Sequence, residues 1–152
     1  MQSPQRPYRV FGLDFGLKRI GIASANTLSR QPQPLAAVRN GPTGPDWPAL
    51  QRLIELHAPA VLVLGTPYNV DGTVGRLGKA TDGFAAELAA RFKLPLVRVD
   101  ERYSSLEATA LLTEQRRSGA RARRVAHADI DSMAAAVILQ RWLNGEQGER
   151  QA

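Results

Sequence analysis

The chain has 152 residues, carries 20 Lys and Arg against 14 Asp and Glu for a formal net charge of +6, and contains no Cys. This length suits one domain with a proper hydrophobic core and is too short for two complete domains. The absence of Cys excludes disulfides, thiol catalysis and thiolate metal sites, and the excess of positive charge favours an anionic partner, of which nucleic acid is the commonest large one.

Antiparallel strands are predicted at the beginning of the chain. Residues 9–13 and 19–25 are apolar runs joined by Gly16-Leu17-Lys18, a turn that suits a hairpin. A third short strand is predicted over residues 35–39. Residues 40–48 contain three Pro and two Gly, so no regular structure is expected there.

The rest of the chain alternates apolar runs of strand length with amphipathic helical patterns. The predicted elements are a helix over residues 50–57, a strand over 60–64, a helix over 76–92, a strand over 95–99, a helix over 105–117 that Ser105 can cap, and a helix over 129–143. Antiparallel strands followed by such alternation predict an α/β domain over residues 8–144, in which helices flank a mixed sheet. Residues 1–7 and 145–152 are expected to be a disordered extension and a disordered tail.

Acidic residues stand at the ends of these predicted elements. Asp14 follows the first strand, Asp100 and Glu101 follow the strand over 95–99, and Asp129 and Asp131 lead the last helix. Ligands gather beyond the carboxyl ends of parallel strands, and a desolvated carboxylate needs a cationic partner. Three such acidic sites suggest a cation cage, and oxygen ligands without Cys favour Mg²⁺ or Mn²⁺ over zinc.

Basic and polar side chains near these acids are candidates for contacts with a nucleic-acid backbone. Lys18 and Arg19 follow Asp14, Arg102 and Ser104 follow Glu101, and the Gly-rich residues 69–75 offer backbone donors for a phosphate. Nine residues of the chain hold five arginines, namely Arg116, Arg117, Arg121, Arg123 and Arg124. A flexible basic loop is a natural phosphate clamp, and the alternative for each of these groups is a solvated surface.

Four segments, in this order, resemble the YqgF family, also called the RuvX or Holliday-junction resolvase family, of the RNase H-like superfamily. They are LDFGLKRIGIA at residues 13–23, GTPYNVDGT at 65–73, DERYSSLEA at 100–108 and IDSMAA at 130–135. The resemblance spans residues 8–143. Each segment alone is weak evidence, whereas four in the right order and spacing make a specific signal.

The resemblance implies an RNase H-like three-layer fold, with a mixed five-stranded sheet, antiparallel first three strands and helices on both faces. It also implies a metal-dependent nuclease that acts on structured nucleic acid, with Asp14, Glu101 and Asp131 as catalytic metal ligands. Family members are associated with maturing the 5′ end of pre-16S ribosomal RNA, which suggests precursor ribosomal particles as partners. Older assignments make them Holliday junction resolvases acting on DNA junctions.

Several alternatives remain open from the sequence. Asp129 competes with Asp131 as the third ligand, although residues two apart on a helix point in nearly opposite directions. His127 is a secondary candidate for proton transfer. A non-catalytic RNA-binding assembly protein would keep the basic loop without cutting, and a nucleotide-binding module of the actin type would need a second domain.

The sequence also carries information on the cellular compartment and the oligomeric state of the protein. No apolar run reaches membrane-spanning length, and the first residues lack the apolar centre of a signal peptide. A cytoplasmic protein without membrane contact is therefore expected. A junction resolvase should be a symmetric dimer, whereas a processing nuclease can act alone, so a monomer or a weak homodimer is expected.

Overall fold

The structure, a computed structural model, describes residues 6–66, 75–100 and 127–148, and its strands form one mixed sheet. In chain order the strands are β1 (Arg9–Phe15), β2 (Arg19–Asn26), β3 (Gln33–Gly41), β4 (Gly44–Pro45), β5 (Val61–Thr66) and β6 (Leu96–Asp100). Across the sheet they follow the order β4-β3-β2-β1-β5-β6. The antiparallel pairing of β1, β2 and β3 is confirmed, and β5 and β6 run parallel to β1.

The described part of the sheet has six strands where five were predicted, because the two-residue strand β4 forms in the Gly- and Pro-rich segment. Gly41 pairs with Gly44, and Asn40 pairs with Pro45. Gly44 has a φ of +111°, a backbone conformation that L side chains rarely adopt. The prediction that residues 40–48 hold no regular structure is therefore wrong.

The described helices are α1 (Trp47–His57), α2 (Arg76–Phe92) and α3 (His127–Gly148). α1 begins before the predicted residue 50, because the Asp46 side chain accepts a hydrogen bond from Ala49 N over 3.2 Å and Pro48 stands in the first turn, where its missing N–H costs nothing. The bounds of α2 are as predicted. α3 is longer than predicted at both ends, and residues 145–148, assigned to a tail, are helical.

Helices cover both faces of the sheet. One face packs against α1 and α2 through Phe11, Leu13, Ile20, Ile22, Leu62 and Leu64 of the strands and Leu50, Phe84 and Leu88 of the helices. The other face packs against α3 through Val10, Ala23, Ala25 and Val63 of the strands and Ala135, Ile138, Leu139 and Leu143 of the helix. Side chains that alternate along each strand thus fill two cores, and the predicted three layers are confirmed.

α3 lies unusually close to the sheet where it crosses β1. A Cβ atom placed on Gly12 would stand 2.7 Å from the backbone oxygen of Ala135 and 2.9 Å from the Cβ of Leu139. Real Cβ atoms do not come so near to such atoms, so only glycine fits at this position of β1. The close approach fixes which turns of α3 lie above the middle of β1.

Two hydrogen bonds define the direction of α3 across the sheet. The Ser132 hydroxyl, near the beginning of α3, donates to the backbone oxygen of Leu35 over 2.5 Å. Through β2, Leu35 is in register with Leu13, near the carboxyl end of β1. Near the other end of α3, the Arg30 guanidinium donates to the backbone oxygen of Leu143 over 2.9 Å, and Arg30 follows the end of β2. α3 therefore begins at the carboxyl end of β1 and runs toward its amino end.

Several sequence predictions lie outside the described residues. These are the helix over 105–117, most of the Gly-rich loop at 69–75, and the outermost residues of both predicted disordered ends. Among residues 6–66, 75–100 and 127–148, no helix is long and apolar enough to cross a membrane.

Candidate active site

Asp14 lies near the carboxyl end of β1 on the face that α3 covers. Along β1, Phe11 and Leu13 pack toward α1 and α2, whereas Val10 packs toward α3. Side chains alternate along a strand, so Asp14 shares the face of Val10 and Gly12. The Asp14 side chain is half-buried. The first of the predicted ligands thus stands at a sheet edge beneath the beginning of α3.

Both strand neighbours of Asp14 are glycines. Gly21 of β2 is its antiparallel partner. On the other side Leu13 is paired with Leu64 of β5, which makes Gly65 the next residue beside Asp14. Neither β2 nor β5 therefore places a side chain against the carboxylate at this level. Such a bare backbone surface is typical of a place where a ligand approaches the sheet closely.

Asp100 belongs to the opposite face of the sheet from Asp14. Val99 packs in the core beneath α3. The preceding residue, Arg98, donates to the Thr66 hydroxyl over 3.0 Å and to the Asp82 carboxylate of α2 over 3.1 Å, which places its side chain on the α2 face. By alternation, Asp100 follows Arg98 toward α2. Asp100 is therefore turned away from Asp14. The resemblance implies Glu101, and not Asp100, as the metal ligand.

The described part of α3 also bears on the third predicted ligand. Asp131 lies on the backbone of α3 four residues before Ala135, whose oxygen stands above Gly12. Residues four apart lie on one side of a helix, one turn from each other. α3 begins at the carboxyl end of β1, so this turn lies toward Asp14. Asp129 precedes Ala135 by six residues, about one and two thirds helical turns.

The other predicted site residues that follow β6 belong to the segment 101–126. Glu101, Arg102, Ser104 and the arginines of residues 116–124 lie outside the described residues. Among the side chains that the structure does describe, no three His, Cys, Asp or Glu residues come together as a metal site. Of the three predicted metal ligands, the structure therefore describes the side chain of Asp14, and the acidic cluster stays a prediction.

Lys18 and Arg19 lie in and just after the turn that follows Asp14. Gly16 N donates to the backbone oxygen of Arg19 over 3.0 Å, and a Cβ on Gly16 would stand 2.6 Å from that oxygen. Asn40 of β3 braces the turn, because its backbone N donates to Lys18 O over 2.9 Å and its Nδ2 donates to Gly16 O over 2.7 Å. The two predicted basic residues are thus held on a tight and well-supported turn.

Arg39 is a basic residue of this region that the sequence predictions left out. It is the direct partner of Arg19 in the pairing of β2 with β3. Lys18, Arg19 and Arg39 line one shallow groove together with Asn40, Gly41 and Pro42. A strand over residues 35–39 was predicted, but the pairing of β2 with β3 contains a bulge between Ile20 and Ile22, so the register was not readable from the sequence.

Residues 8–145 match the model of the RuvX family, which is described as a Holliday junction resolvase. The chain belongs to the RuvX family. Among curated RuvX relatives, a protein of Xanthomonas campestris pv. campestris (strain B100) is 41% identical over 138 residues, which is 91% of this chain and 88% of that protein. A protein of Xanthomonas oryzae pv. oryzae is 40% identical over 134 residues, 88% of this chain and 86% of that one. Both carry the name "Putative pre-16S rRNA nuclease".

Solved structures share the fold at low sequence identity. The RuvC protein of T. thermophilus in complex with a Holliday junction substrate superposes with a TM-score of 0.56 at 16% identity, covering 93% of this chain and 96% of that one. The Fowlpox virus resolvase with Holliday junction DNA gives a TM-score of 0.53 at 11% identity, covering 90% and 97% of the two chains. These likenesses confirm the predicted RNase H-like fold, and the family match confirms the predicted resemblance.

Proposed function

We propose that this RuvX protein is a divalent-metal-dependent nuclease that processes the 5′ end of pre-16S ribosomal RNA. The observation that carries the proposal is the position of Asp14, half-buried at the carboxyl end of β1, between two glycines and on the face of α3. A carboxylate flanked by two glycines can bind a cation and still leave space for a phosphate to approach that cation. We infer the RNA substrate from the names of the relatives, whose matches cover most of this chain.

Asp14, Glu101 and Asp131 would hold Mg²⁺ or Mn²⁺. The donor set fits, because carboxylate oxygens are the ligands of these hard cations and the chain has no thiolate to favour a softer metal. A pair of such cations, when bound, activates a water molecule, neutralises the phosphate and stabilises the leaving oxygen of a phosphodiester. Asp100 is a weaker candidate than Glu101, since the alternation of Arg98 and Val99 places Asp100 on the α2 face.

The basic residues of the chain would bind the nucleic acid and orient the bond that is cut. Lys18 and Arg19 stand on the braced turn directly after Asp14, so phosphates next to the scissile one would meet their charges. Arg102, Ser104 and the five arginines of residues 116–124 would bind the backbone further out, as a clamp. Because these contacts go to phosphates, they would add affinity for any sequence and would weaken as salt rises.

Resolution of Holliday junctions is the second candidate. The description of the family and the DNA junctions bound in two structures of the same fold favour it. A resolvase makes paired nicks and needs a symmetric dimer, whereas processing of an rRNA end does not. We favour the rRNA reaction, in the cytoplasm and on precursor ribosomal particles, by a monomer or a weak homodimer.

Cleavage of two substrates in parallel tests the proposal. A precursor 16S rRNA fragment and a four-way DNA junction are incubated with the protein and Mg²⁺ or Mn²⁺, with chelator controls, while the oligomeric state is measured. We expect metal-dependent cleavage of the RNA, and a loss of at least about 100-fold in the Asp14→Asn variant. The matched control is Asp82→Asn, which removes an exposed acid of α2.

The outcomes separate the candidate functions. Full cleavage by a folded Asp14→Asn protein would refute the assigned site. Paired nicks in the junction by a dimer, with intact RNA, would support the resolvase. Binding of RNA without turnover under every metal condition would indicate a non-catalytic assembly protein.

A further inference from the structure

Two arginines face each other on the side of the sheet that carries Asp14. Arg19 and Arg39 are direct partners across β2 and β3. Their neighbours Ile20 and Val38 pack into the core beneath α1 and α2. By alternation, the two arginines point to the opposite face, which is the face of α3 and of Asp14. Arg39 is exposed.

Like charges directly opposite each other in a sheet are destabilising. Asp46, the acid nearest to Arg39 in sequence, does not pair with the Arg39 side chain, because its carboxylate accepts the hydrogen bond from Ala49 N that caps α1. No side-chain hydrogen bond or ion pair of Arg39 occurs within residues 6–66, 75–100 and 127–148. No side-chain contact within the described chain thus accounts for the charge of Arg39, whereas a bound anion would.

The spacing of the sheet sets the distance between this pair and Asp14. Arg19 lies two residues from Gly21, the partner of Asp14, and is therefore a diagonal neighbour about 7–8 Å away, within reach of a long side chain. Arg39 stands one strand further out, about 12 Å from Asp14 if strands are about 4.8 Å apart and each residue rises about 3.4 Å. Asp14, Arg19 and Arg39 thus form a line that leads from the site toward the edge strand β4.

We propose that Arg39, together with Arg19 and Lys18, forms a phosphate-binding subsite that receives the nucleic-acid strand as it leaves Asp14. The strand then runs over β2 and β3 along the groove that Asn40, Gly41 and Pro42 complete. The inference rests on the proposed nuclease function for the identity of the ligand, an RNA backbone. Arg39 acts as a binding residue away from the cut bond.

Equilibrium binding without cleavage tests this subsite. The probe is a fluorescein-labelled RNA helix with the 5′ precursor sequence of 16S rRNA, titrated in EDTA over a range of salt concentrations and followed by anisotropy. We expect Arg39→Gln to weaken binding roughly fivefold at low salt and to lower the slope of log affinity against log salt by about 1. Arg39→Lys keeps the charge and should keep the slope. The matched control is Arg52→Gln, an exposed arginine of α1 on the opposite face.

Two further measurements distinguish phosphate binding by Arg39 from a purely structural role. Thermal unfolding of Arg39→Gln should occur at the temperature of the unsubstituted protein or slightly above it, since the side chain is exposed and the change removes a like charge opposite Arg19. With Mg²⁺, the variant should raise KM and leave kcat within about twofold, because the contact lies away from the cut bond. Unchanged affinity and slope in Arg39→Gln, or an equal loss in Arg52→Gln, would overturn the subsite. Because binding is measured in EDTA, weakened binding by Arg39→Gln supports the subsite even if no cleavage is found.

Discussion

The Ser132 hydroxyl of α3 donates a hydrogen bond to the backbone oxygen of Leu35 in β3. Ser132 is buried and stands directly after Asp131, the proposed third metal ligand. One contact thus ties the beginning of α3 to the sheet at the level of Leu13, one residue before Asp14. The position of the Asp131 backbone therefore depends on the neighbouring Ser132 side chain.

Replacing Ser132 by Ala should cost about 0.5–1.5 kcal/mol of unfolding free energy, because the half-buried hydrogen bond to the Leu35 oxygen is lost. Urea denaturation measures this loss. Nuclease activity should fall further than stability alone explains, since the first turns of α3 lose their anchor. The matched control is Ser24→Ala, another buried serine, whose hydroxyl accepts from Arg9 over 3.2 Å. If both variants keep equal activity, Ser132 has only a structural role.

Replacing Gly12 by Ala should destabilise the protein by about 1–3 kcal/mol, because the added methyl group would collide with the backbone oxygen of Ala135. Gly83→Ala provides the contrast. A Cβ on Gly83 meets nothing within 4 Å, and the residue is inside α2, so this change should stabilise by about 0.5–1 kcal/mol. Thermal or urea unfolding of both variants measures the difference, and equal effects would contradict the close approach of α3 to β1.

Asp131→Asn should abolish cleavage, whereas Asp129→Asn should keep most of it. Asp131 precedes Ala135, whose oxygen stands above Gly12, by four residues, about one helical turn, whereas Asp129 precedes it by six. Single-turnover cleavage of the RNA fragment by the two purified variants, with circular dichroism to check folding, measures this. The reverse order of activities would move the third ligand to Asp129.

Asp82→Asn should change the unfolding free energy by less than about 0.5 kcal/mol. The Asp82 carboxylate pairs with Arg98 over 3.1 Å, but its side chain is 63% exposed, and water and salt screen such pairs. Urea denaturation at low and high salt measures the effect. A loss above about 1 kcal/mol would mean that this link between α2 and β6 matters more than its exposure indicates.

Hydrophobic patterning predicted most of the fold, because the strands and helices of this chain bury clear faces. The apolar run at residues 60–64 became β5, and the helical spacing over residues 76–92 became α2. The segment at 40–48 was misjudged for a physical reason. Gly44 and Pro45 disfavour the interior of a strand, yet they pair at the end of a turn, and Pro48 suits the first turn of a helix.

The candidate site was predictable to the extent that its chemistry lies in short sequence segments. Asp14 at the end of an apolar strand is visible in the sequence, and the structure adds the two glycines beside it. Arg39 was not predictable, because its relation to Arg19 arises from pairing across a bulge. Sequence alone also could not assign Asp100 to a face of the sheet without knowing which face α3 covers.

The bond between Ser132 and Leu35 joins residues 97 positions apart in the chain. Contacts of such separation close large loops and tend to form late in folding. During synthesis, β1 and β2 would therefore leave the ribosome well before α3 exists to cover their small apolar residues. Nascent chains at that stage would expose an uncovered sheet surface, and chaperone binding or aggregation would be concentrated in that interval.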